Sequence, residues 1–134
     1  MQNFNQLGLS EESLKILKGL NFETPTPIQE KVIPLALKGI DILGTAQTGS
    51  GKTISYVLPI VENLRNNVNS KFLILTPTRE LAEQVYNVVK IFLGYGKPFK
   101  AINLIGGKGI YSQINQLKRN PQIIIGTPGR INDH

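Results

Sequence analysis

Residues 46–53 form the stretch that decides the fold: Ala46-Gln47-Thr48-Gly49-Ser50-Gly51-Lys52-Thr53. They match the glycine-rich phosphate-loop pattern that ends in Gly-Lys-Ser/Thr, with Ala46 where the general pattern has its first glycine. Gly49 and Gly51 permit a tight turn in which consecutive N–H groups point at one anion. The turn lies between an apolar run and a helical pattern, which adds the positive end of a helix dipole. We therefore interpret it as a nucleoside-triphosphate site rather than an idle glycine-rich turn.

Lys52 and Thr53 carry the predicted catalytic chemistry. The Lys52 ammonium can reach the β- and γ-phosphates of a bound nucleotide, and the Thr53 hydroxyl can coordinate Mg²⁺ beside it. The loop pattern by itself does not separate kinases, GTPases, transporters and helicases.

Outward from the loop, short apolar runs alternate with helical patterns. We predict strands over residues 40–45, 72–75, 101–105 and 122–125, and helices over 51–65, 80–93 and 110–117. In the helix over 80–93, the spacing places Leu81, Val85, Val88 and Phe92 on one face. Near-continuous apolar strands alternating with helices indicate an α/β fold, a parallel sheet with helices on both faces. Ligands of such sheets collect at the carboxyl ends of the strands.

Two further helices are predicted before the loop. One spans residues 10–18 with Ser10 as its N-cap, and the other opens at Thr26 with a proline at its first position. We expect Pro34 to kink or end that second helix and Pro59 to bend the helix over 51–65.

Composition narrows the class of protein. The 134 residues suit one domain, and 40% of them are hydrophobic, so a packed core is expected. The absence of cysteine and the single histidine, His134, argue against disulfides, zinc sites and thiol or Ser/His/Asp hydrolysis. No apolar run is long enough for a membrane span, and no signal peptide precedes the first helix, so a soluble cytoplasmic protein is expected.

The net charge of +6 is unevenly distributed. Residues 1–67 carry six Lys/Arg and six Asp/Glu, whereas residues 68–134 carry nine and three. This asymmetry suggests a polyanion bound by the second half, although a merely soluble basic surface would have the same composition.

Four more segments, quoted in chain order, resemble motifs of the DEAD-box RNA helicases. The Q motif is matched by Asn21-Phe22-Glu23-Thr24-Pro25-Thr26-Pro27-Ile28-Gln29, and residues 46–53 are similar to motif I, including its alanine. Motif Ia is matched by Pro77-Thr78-Arg79-Glu80-Leu81-Ala82-Glu83-Gln84. The GG doublet and motif Ib are matched by Gly106-Gly107 and Thr127-Pro128-Gly129-Arg130. The resemblance runs from Phe4 to Arg130 and implies a P-loop, RecA-like helicase domain.

The resemblance assigns the nucleotide as ATP. It implies that Gln29 pairs with the adenine edge, that Phe4 stacks on the base, and that Phe22 and Thr24 border the same pocket. A glutamine amide can donate one bond to adenine and accept another, which agrees with that role. Phe22 taken alone is more often a core residue. Asn21 replaces the usual glycine of the family.

The resemblance also implies that single-stranded RNA is gripped through its backbone, without regard to sequence. The residues concerned are Pro77, Thr78, Arg79, Glu80, Gly106, Gly107, Thr127, Pro128, Gly129 and Arg130. The Thr-Pro pairs at two strand ends have the form of helix starts with N–H groups available to phosphates. Arg79 and Arg130 become RNA contacts or braces for these loops, or alternatively ordinary ion pairs.

Several parts of the family pattern are absent from the chain. No apolar run ends in the acid that holds Mg²⁺, and the Asp-Glu-Ala-Asp segment, the Ser-Ala-Thr motif and the second RecA-like domain are missing. We therefore expect an incomplete ATP-binding domain, with the Q-motif region in residues 1–39 and the strand–helix units in 40–134. We expect an RNA-helicase part without hydrolysis or unwinding of its own. The alternatives are a non-catalytic RNA- or nucleotide-binding module, a vestigial fragment and, less well supported, a small-molecule kinase.

Overall fold

A computed structural model of the chain describes residues 3–38, 51–67, 70–94, 99–105 and 109–132. The predicted strand over 40–45, the loop residues Ala46, Gln47, Thr48, Gly49 and Ser50, and the doublet Gly106 and Gly107 lie outside the described residues. The chain divides into two compact units, Met1–Asn66 and Asn67–His134.

The first unit is helical in its described part. A short 3₁₀ helix, Phe4–Gln6, precedes α1 (Glu11–Gly19), α2 (Pro27–Leu37) and α3 (Lys52–Asn66). The Ser10 hydroxyl accepts the Ser13 N–H and Thr26 caps α2, so both predicted helix starts are confirmed. Helices α2 and α3 pack against each other.

The two prolines lie inside these helices. Helix α2 runs three residues beyond Pro34, so of the two expected outcomes, a kink or an end, the end is wrong. Each proline removes one hydrogen bond, but Ile33 in α2 and Val57 and Leu58 in α3 are fully buried. Tertiary packing of this kind outweighs the loss of one backbone bond, which is why both helices continue.

The second unit is built around a parallel sheet. Its elements are β1 (Phe72–Leu75), α4 (Arg79–Leu93), β2 (Ala101–Leu104), α5 (Ile110–Leu117), β3 (Ile123–Gly126) and the short α6 (Pro128–Asn132). The strands have the order β1-β3-β2, and all pairs are parallel, with Ile125 opposite both Ile74 and Asn103. The three predicted strands of this unit are confirmed to within one residue.

The buried face of α4 differs from the prediction by part of a turn. Ala82, Val85, Val89 and Phe92 are buried, whereas Leu81 and Val88 are only half-buried. Both sets follow the same spacing of three and four residues. Helix α4 packs on β2 and β3, and this contact selects between the two faces.

In the described part of the chain, the helices are too short or too polar to cross a membrane.

Candidate functional site

The side chain of Gln29 links α2 to the residue that precedes α3. Its Oε1 accepts the Thr26 N–H at 2.9 Å and its Nε2 donates to the Gly51 carbonyl at 3.2 Å. Only 4% of Gln29 is exposed, so the amide is held rather than free in solvent. The structure therefore brings together the predicted adenine-reading residue and the end of the predicted phosphate loop.

Gly51 is required at this point for two separate reasons. Its φ is +84°, a backbone conformation that residues with a Cβ rarely adopt. A Cβ there would also lie 2.4 Å from Gln29 Nε2 and 3.0 Å from Thr26 Oγ1. The glycine of the loop and the glutamine of α2 thus fit each other closely.

Lys52 and Thr53 occupy the first two positions of α3. Lys52 is exposed, and Thr53 is half-buried. The first N–H groups of a helix have no acceptor within it, and the dipole of this 15-residue helix favours an anion there. This environment suits the nucleotide phosphates predicted for both residues.

The Thr53 hydroxyl has a neighbour that the sequence did not reveal. Burial raises the pKa of the Tyr56 phenol above its ordinary value of 10.0, and a hydrogen bond with the Thr53 side chain partly offsets that effect. A hydroxyl oxygen is a suitable ligand for a hard cation such as Mg²⁺, which usually takes few protein ligands and completes its shell with phosphates and water. Thr53 therefore fits the predicted metal role, with Tyr56 able to orient its hydroxyl.

A cleft of about 650 Å³ brings together the other predicted nucleotide residues. Phe4, Phe22 and Thr24 all line it, with Leu17 of α1. Phe22 is 43% exposed and is therefore not a core residue, whereas Phe4 is only 4% exposed. Gln29 does not line this cleft, so the predicted residues of the first unit form two groups.

The turn after α1 explains how Phe22 reaches the cleft. Asn21 has a φ of +64°, its N–H donates to the Lys18 carbonyl at 3.0 Å, and the Phe22 N–H donates to the Leu17 carbonyl at 2.9 Å. These two bonds form a Schellman C-cap, whose left-handed position is usually glycine and sometimes asparagine. The departure of Asn21 from the family pattern is therefore accommodated by the backbone.

The predicted RNA residues of the second unit lie at the carboxyl ends of two paired strands. Residues 77–80 follow β1 and residues 127–130 follow β3, the central strand. The Thr76 N–H donates to the Gly126 carbonyl at 3.0 Å, and the Thr127 N–H donates to the Leu104 carbonyl at 3.3 Å. Since parallel strands end at one edge, the structure brings these two segments together.

These bonds also change which groups can face a phosphate. The Thr76 and Thr127 N–H groups are occupied, so any N–H open to a phosphate belongs to a residue after them. Helix α4 begins at Arg79 with Thr78 as its N-cap, so the prediction that Thr76-Pro77 starts a helix is wrong, whereas α6 does begin at Pro128. Pro77, Thr78, Arg79, Glu80, Pro128 and Gly129 are exposed. Gly129 has open space at its Cβ position, which allows close approach of a ligand. Arg79 and Arg130 both interact with other residues of the chain, so neither is a free surface cation.

Three residues with a structural role were not found from the sequence. Gly126 allows the end of β3 to lie close to the end of β2, because a Cβ there would be 2.4 Å from the Leu104 carbonyl oxygen. Gln113 is buried and donates to the Ile105 carbonyl at 2.9 Å, directly before the predicted GG doublet. Glu62 is buried in α3 and accepts from both Ser10 and Ser13 of the α1 start. No pattern of spacing distinguishes such residues from surface polar ones.

Comparison with known proteins places these motifs in one family. Residues 26–134 match the family model described as DEAD/DEAH box helicase. The chain is 47% identical over 133 residues to the DEAD-box ATP-dependent RNA helicase RhpA of Helicobacter pylori (strain B128), covering 98% of this chain and 27% of that protein.

Solved structures agree with the sequence comparison. The crystal structure of a DEAD box protein from the hyperthermophile Methanococcus jannaschii matches with a TM-score of 0.90 and 47% identity, over 100% of this chain and 37% of that one. A hypothetical ATP-dependent RNA helicase from Sulfolobus tokodaii matches with a TM-score of 0.83 and 37% identity, over 93% and 36%. These matches confirm the predicted RecA-like parallel sheet with helices. The chain spans roughly a quarter to two fifths of the length of these relatives.

Proposed function

Because the chain belongs to the DEAD/DEAH box helicase family, we propose that it is the ATP-binding and RNA-backbone-binding portion of an ATP-dependent RNA helicase. Unwinding is then an activity of a longer protein, in which a second RecA-like domain closes over nucleotide and RNA. That domain is the proposed partner of this one.

The hydrogen bond from Gln29 to Gly51 is the observation that best supports ATP as the ligand. It holds a neutral amide beside the residue that precedes α3, and Lys52 and Thr53 at the start of α3 are the proposed phosphate ligands. An amide reads adenine by one donated and one accepted bond, which guanine does not match at the same edge. Gln29 uses one amide proton and one oxygen lone pair internally, so one of each remains for the base.

The second part of the proposal is RNA held at the carboxyl edge of the sheet. Two segments, 77–80 and 127–130, lie together there, the first exposed throughout and the second exposed at Pro128 and Gly129. They offer main-chain groups and arginines instead of a surface for reading bases. Contacts of this type favour affinity without sequence preference.

Hydrolysis is not proposed for this chain by itself. The residues that follow the described strands are Thr76, Ile105 and Thr127, and none of them is an acid that could hold Mg²⁺. We expect nucleotide binding with little or no turnover.

Titration of the purified chain with Mg-ATP, Mg-GTP and labelled poly-uridine in rising salt, beside an ATPase assay, tests the proposal. We expect ATP to bind better than GTP, RNA affinity to fall steeply with salt, and turnover to stay near background. Robust RNA-stimulated turnover would refute the expected lack of hydrolysis. Failure to bind either ligand even at low salt would favour the vestigial-fragment alternative.

A further inference from the structure

Most of the basic residues that the structure describes in the second unit lie away from the predicted RNA segments. Helices α4 and α5 connect the carboxyl end of one parallel strand to the amino end of the next, so their last turns lie at the edge where strands begin, here called the amino edge. The basic residues at this edge are Lys71, Lys90, Lys100, Lys118 and Arg119. A bond of 2.9 Å from Lys71 Nζ to Asn120 Oδ1 ties the start of β1 to the turn before β3.

Acidic residues are placed differently. In the described part of this unit they are Glu80 and Glu83, both in the first half of α4. Among the described residues, no acidic side chain therefore lies in the last turns of α4 and α5 or at the starts of the strands. Of the seven described basic residues of this unit, five lie at the amino edge and two, Arg79 and Arg130, lie in the predicted RNA segments.

A cavity of about 360 Å³, here called the basic cavity, opens at the amino edge. Lys90, Lys100 and Arg119 line it together with the rings of Tyr86 and Phe99, and none of its described lining residues is acidic. Leu93 and Ile102, each almost fully buried, supply apolar surface. Its volume lies within the range of roughly 300–1,000 Å³ typical of ligand pockets.

Helix stabilisation accounts for only part of this pattern. Lys90 lies in the last turn of α4, where a cation complements the helix dipole. Lys100 precedes a strand and has no such role. Within the described residues, neither Lys100 nor Arg119 forms an ion pair, and both are exposed. Three cations facing one cavity repel one another, so the surface is complementary to an anionic ligand.

The details favour an acidic peptide over a nucleic acid strand. The Lys90 ammonium lies 5.3 Å from the centroid of the Tyr86 ring, so this ring face is already covered and is not a platform for a base. A neighbouring hollow shares Tyr86 with the cavity and is lined by Glu83, whose carboxylate would repel a continuous chain of phosphates. The apolar residues of the basic cavity and the cations around them instead suit a peptide in which an apolar side chain is flanked by carboxylates.

We propose that the basic cavity is a docking site for an acidic segment of a partner protein. An apolar side chain of that segment enters against Leu93 and Ile102, and the flanking carboxylates pair with Lys90, Lys100 and Arg119. Binding at this cavity needs neither nucleotide nor the carboxyl edge of the sheet.

Fluorescence anisotropy with a labelled synthetic peptide of glutamates around a central Leu-Phe pair tests this docking site on the whole chain. We expect binding that weakens with salt and that falls about tenfold or more in the double variant Lys100→Glu/Arg119→Glu. The neutral variant Lys100→Gln/Arg119→Gln should lose less peptide affinity than the variant with two glutamates. Lys31→Glu, an exposed change in α2, should leave the affinity unchanged, and a peptide with Ser-Ser in place of Leu-Phe should bind more weakly.

Circular dichroism would establish that the variants of these exposed residues stay folded. Equal peptide affinity of the chain and its Lys100→Glu/Arg119→Glu variant, or no binding at low salt, would overturn the docking site. Displacement of the peptide by poly-uridine, with equal losses of both ligands in the double variant, would assign the surface to RNA and also overturn it. Poly-uridine binding is measured in a separate titration, so a failure of the proposed RNA binding can be told apart from a failure of the docking site.

Discussion

The Gln29 side chain donates a hydrogen bond to the main-chain carbonyl of Gly51, with 3.2 Å between Nε2 and the oxygen. The same side chain closes the capping box of α2 by accepting the Thr26 N–H. One buried amide therefore fixes the start of α2 and the residue before α3. This arrangement makes the glycine and the glutamine mutually dependent.

Gly51→Ala should lower both stability and nucleotide affinity. The left-handed backbone costs an L-residue about 1–2 kcal/mol, and the new methyl group would displace the Gln29 amide, from which it would lie 2.4 Å. Denaturant unfolding and ATP titration would measure the two effects. Gly19→Ala is the matched control, since Gly19 has no atom within 4 Å of its Cβ position and lies in a helix. It should keep or raise stability, and equal losses in both variants would contradict the fit described for Gly51.

Gln29→Ala should remove the preference for ATP over GTP. It also breaks the capping box, at a cost of about 1 kcal/mol. Thr26→Ala breaks the same capping box but keeps the amide beside Gly51, so it should lose similar stability and retain the preference. Affinities for the two nucleotides, measured for both variants, separate helix capping from base selection. Loss of the preference in Thr26→Ala to the same extent would show that Gln29 does not read the base.

Glu62→Ala should destabilise the first unit far more than Glu12→Ala, although both carboxylates contact Arg65. The Glu62 side chain is 6% exposed and accepts from Ser10, Ser13 and Arg65. Its removal leaves the Ser10 and Ser13 hydroxyls without their acceptor and takes the buried one of two carboxylates from Arg65, and breaking a buried pair of this kind typically costs about 3–5 kcal/mol. The Glu12 side chain is 51% exposed, and such pairs contribute about 0–1 kcal/mol. Equal changes in the free energy of unfolding for the two variants would show that the buried Glu62 carboxylate stabilises the unit no more than the exposed Glu12 carboxylate does.

Tyr56 should make the chain less stable in alkali. Burial raises the pKa of its phenol in the folded state, so above pH 10 the unfolded chain releases the proton more readily. The free energy of unfolding then falls as pH rises through this range, while below it the contribution is constant. Tyr56→Phe should flatten the fall when unfolding is compared from pH 8 to pH 11. Superimposable profiles for the two proteins would mean that Tyr56 does not contribute.

The sequence predicted elements well where a local signal marked their ends. Ser10 and Thr26 begin helices as expected, and the alternation of apolar runs and helices identified the parallel sheet. The buried face of α4 was assigned incorrectly because Leu81 and Ala82 both begin runs of the same spacing. Only the contact with β2 and β3 distinguishes them, and that contact is tertiary.

The candidate site was predictable as a set of residues but not as an arrangement. Motif resemblance named Gln29 and Gly51, yet their hydrogen bond depends on how α2 packs on α3. Asn21 stands where the family usually has glycine, and only its positive φ in the structure explains why asparagine fits there. The charge asymmetry pointed only to the second half of the chain, and it did not reveal that Lys90, Lys100 and Arg119 meet at the edge opposite the RNA segments, because helices reverse the chain direction.

The central claim, that one ATP molecule spans Gln29 and the start of α3, is tested most directly by nuclear magnetic resonance. Mg-ATP would be titrated into the labelled chain while the Gln29 side-chain amide and the Lys52 and Thr53 main-chain amides are followed together. We expect all three signals to shift with one common dissociation constant, and GTP to shift the Lys52 and Thr53 signals without the same change at Gln29. Shifts at Lys52 and Thr53 with an unaffected Gln29 amide during the ATP titration would contradict the claim.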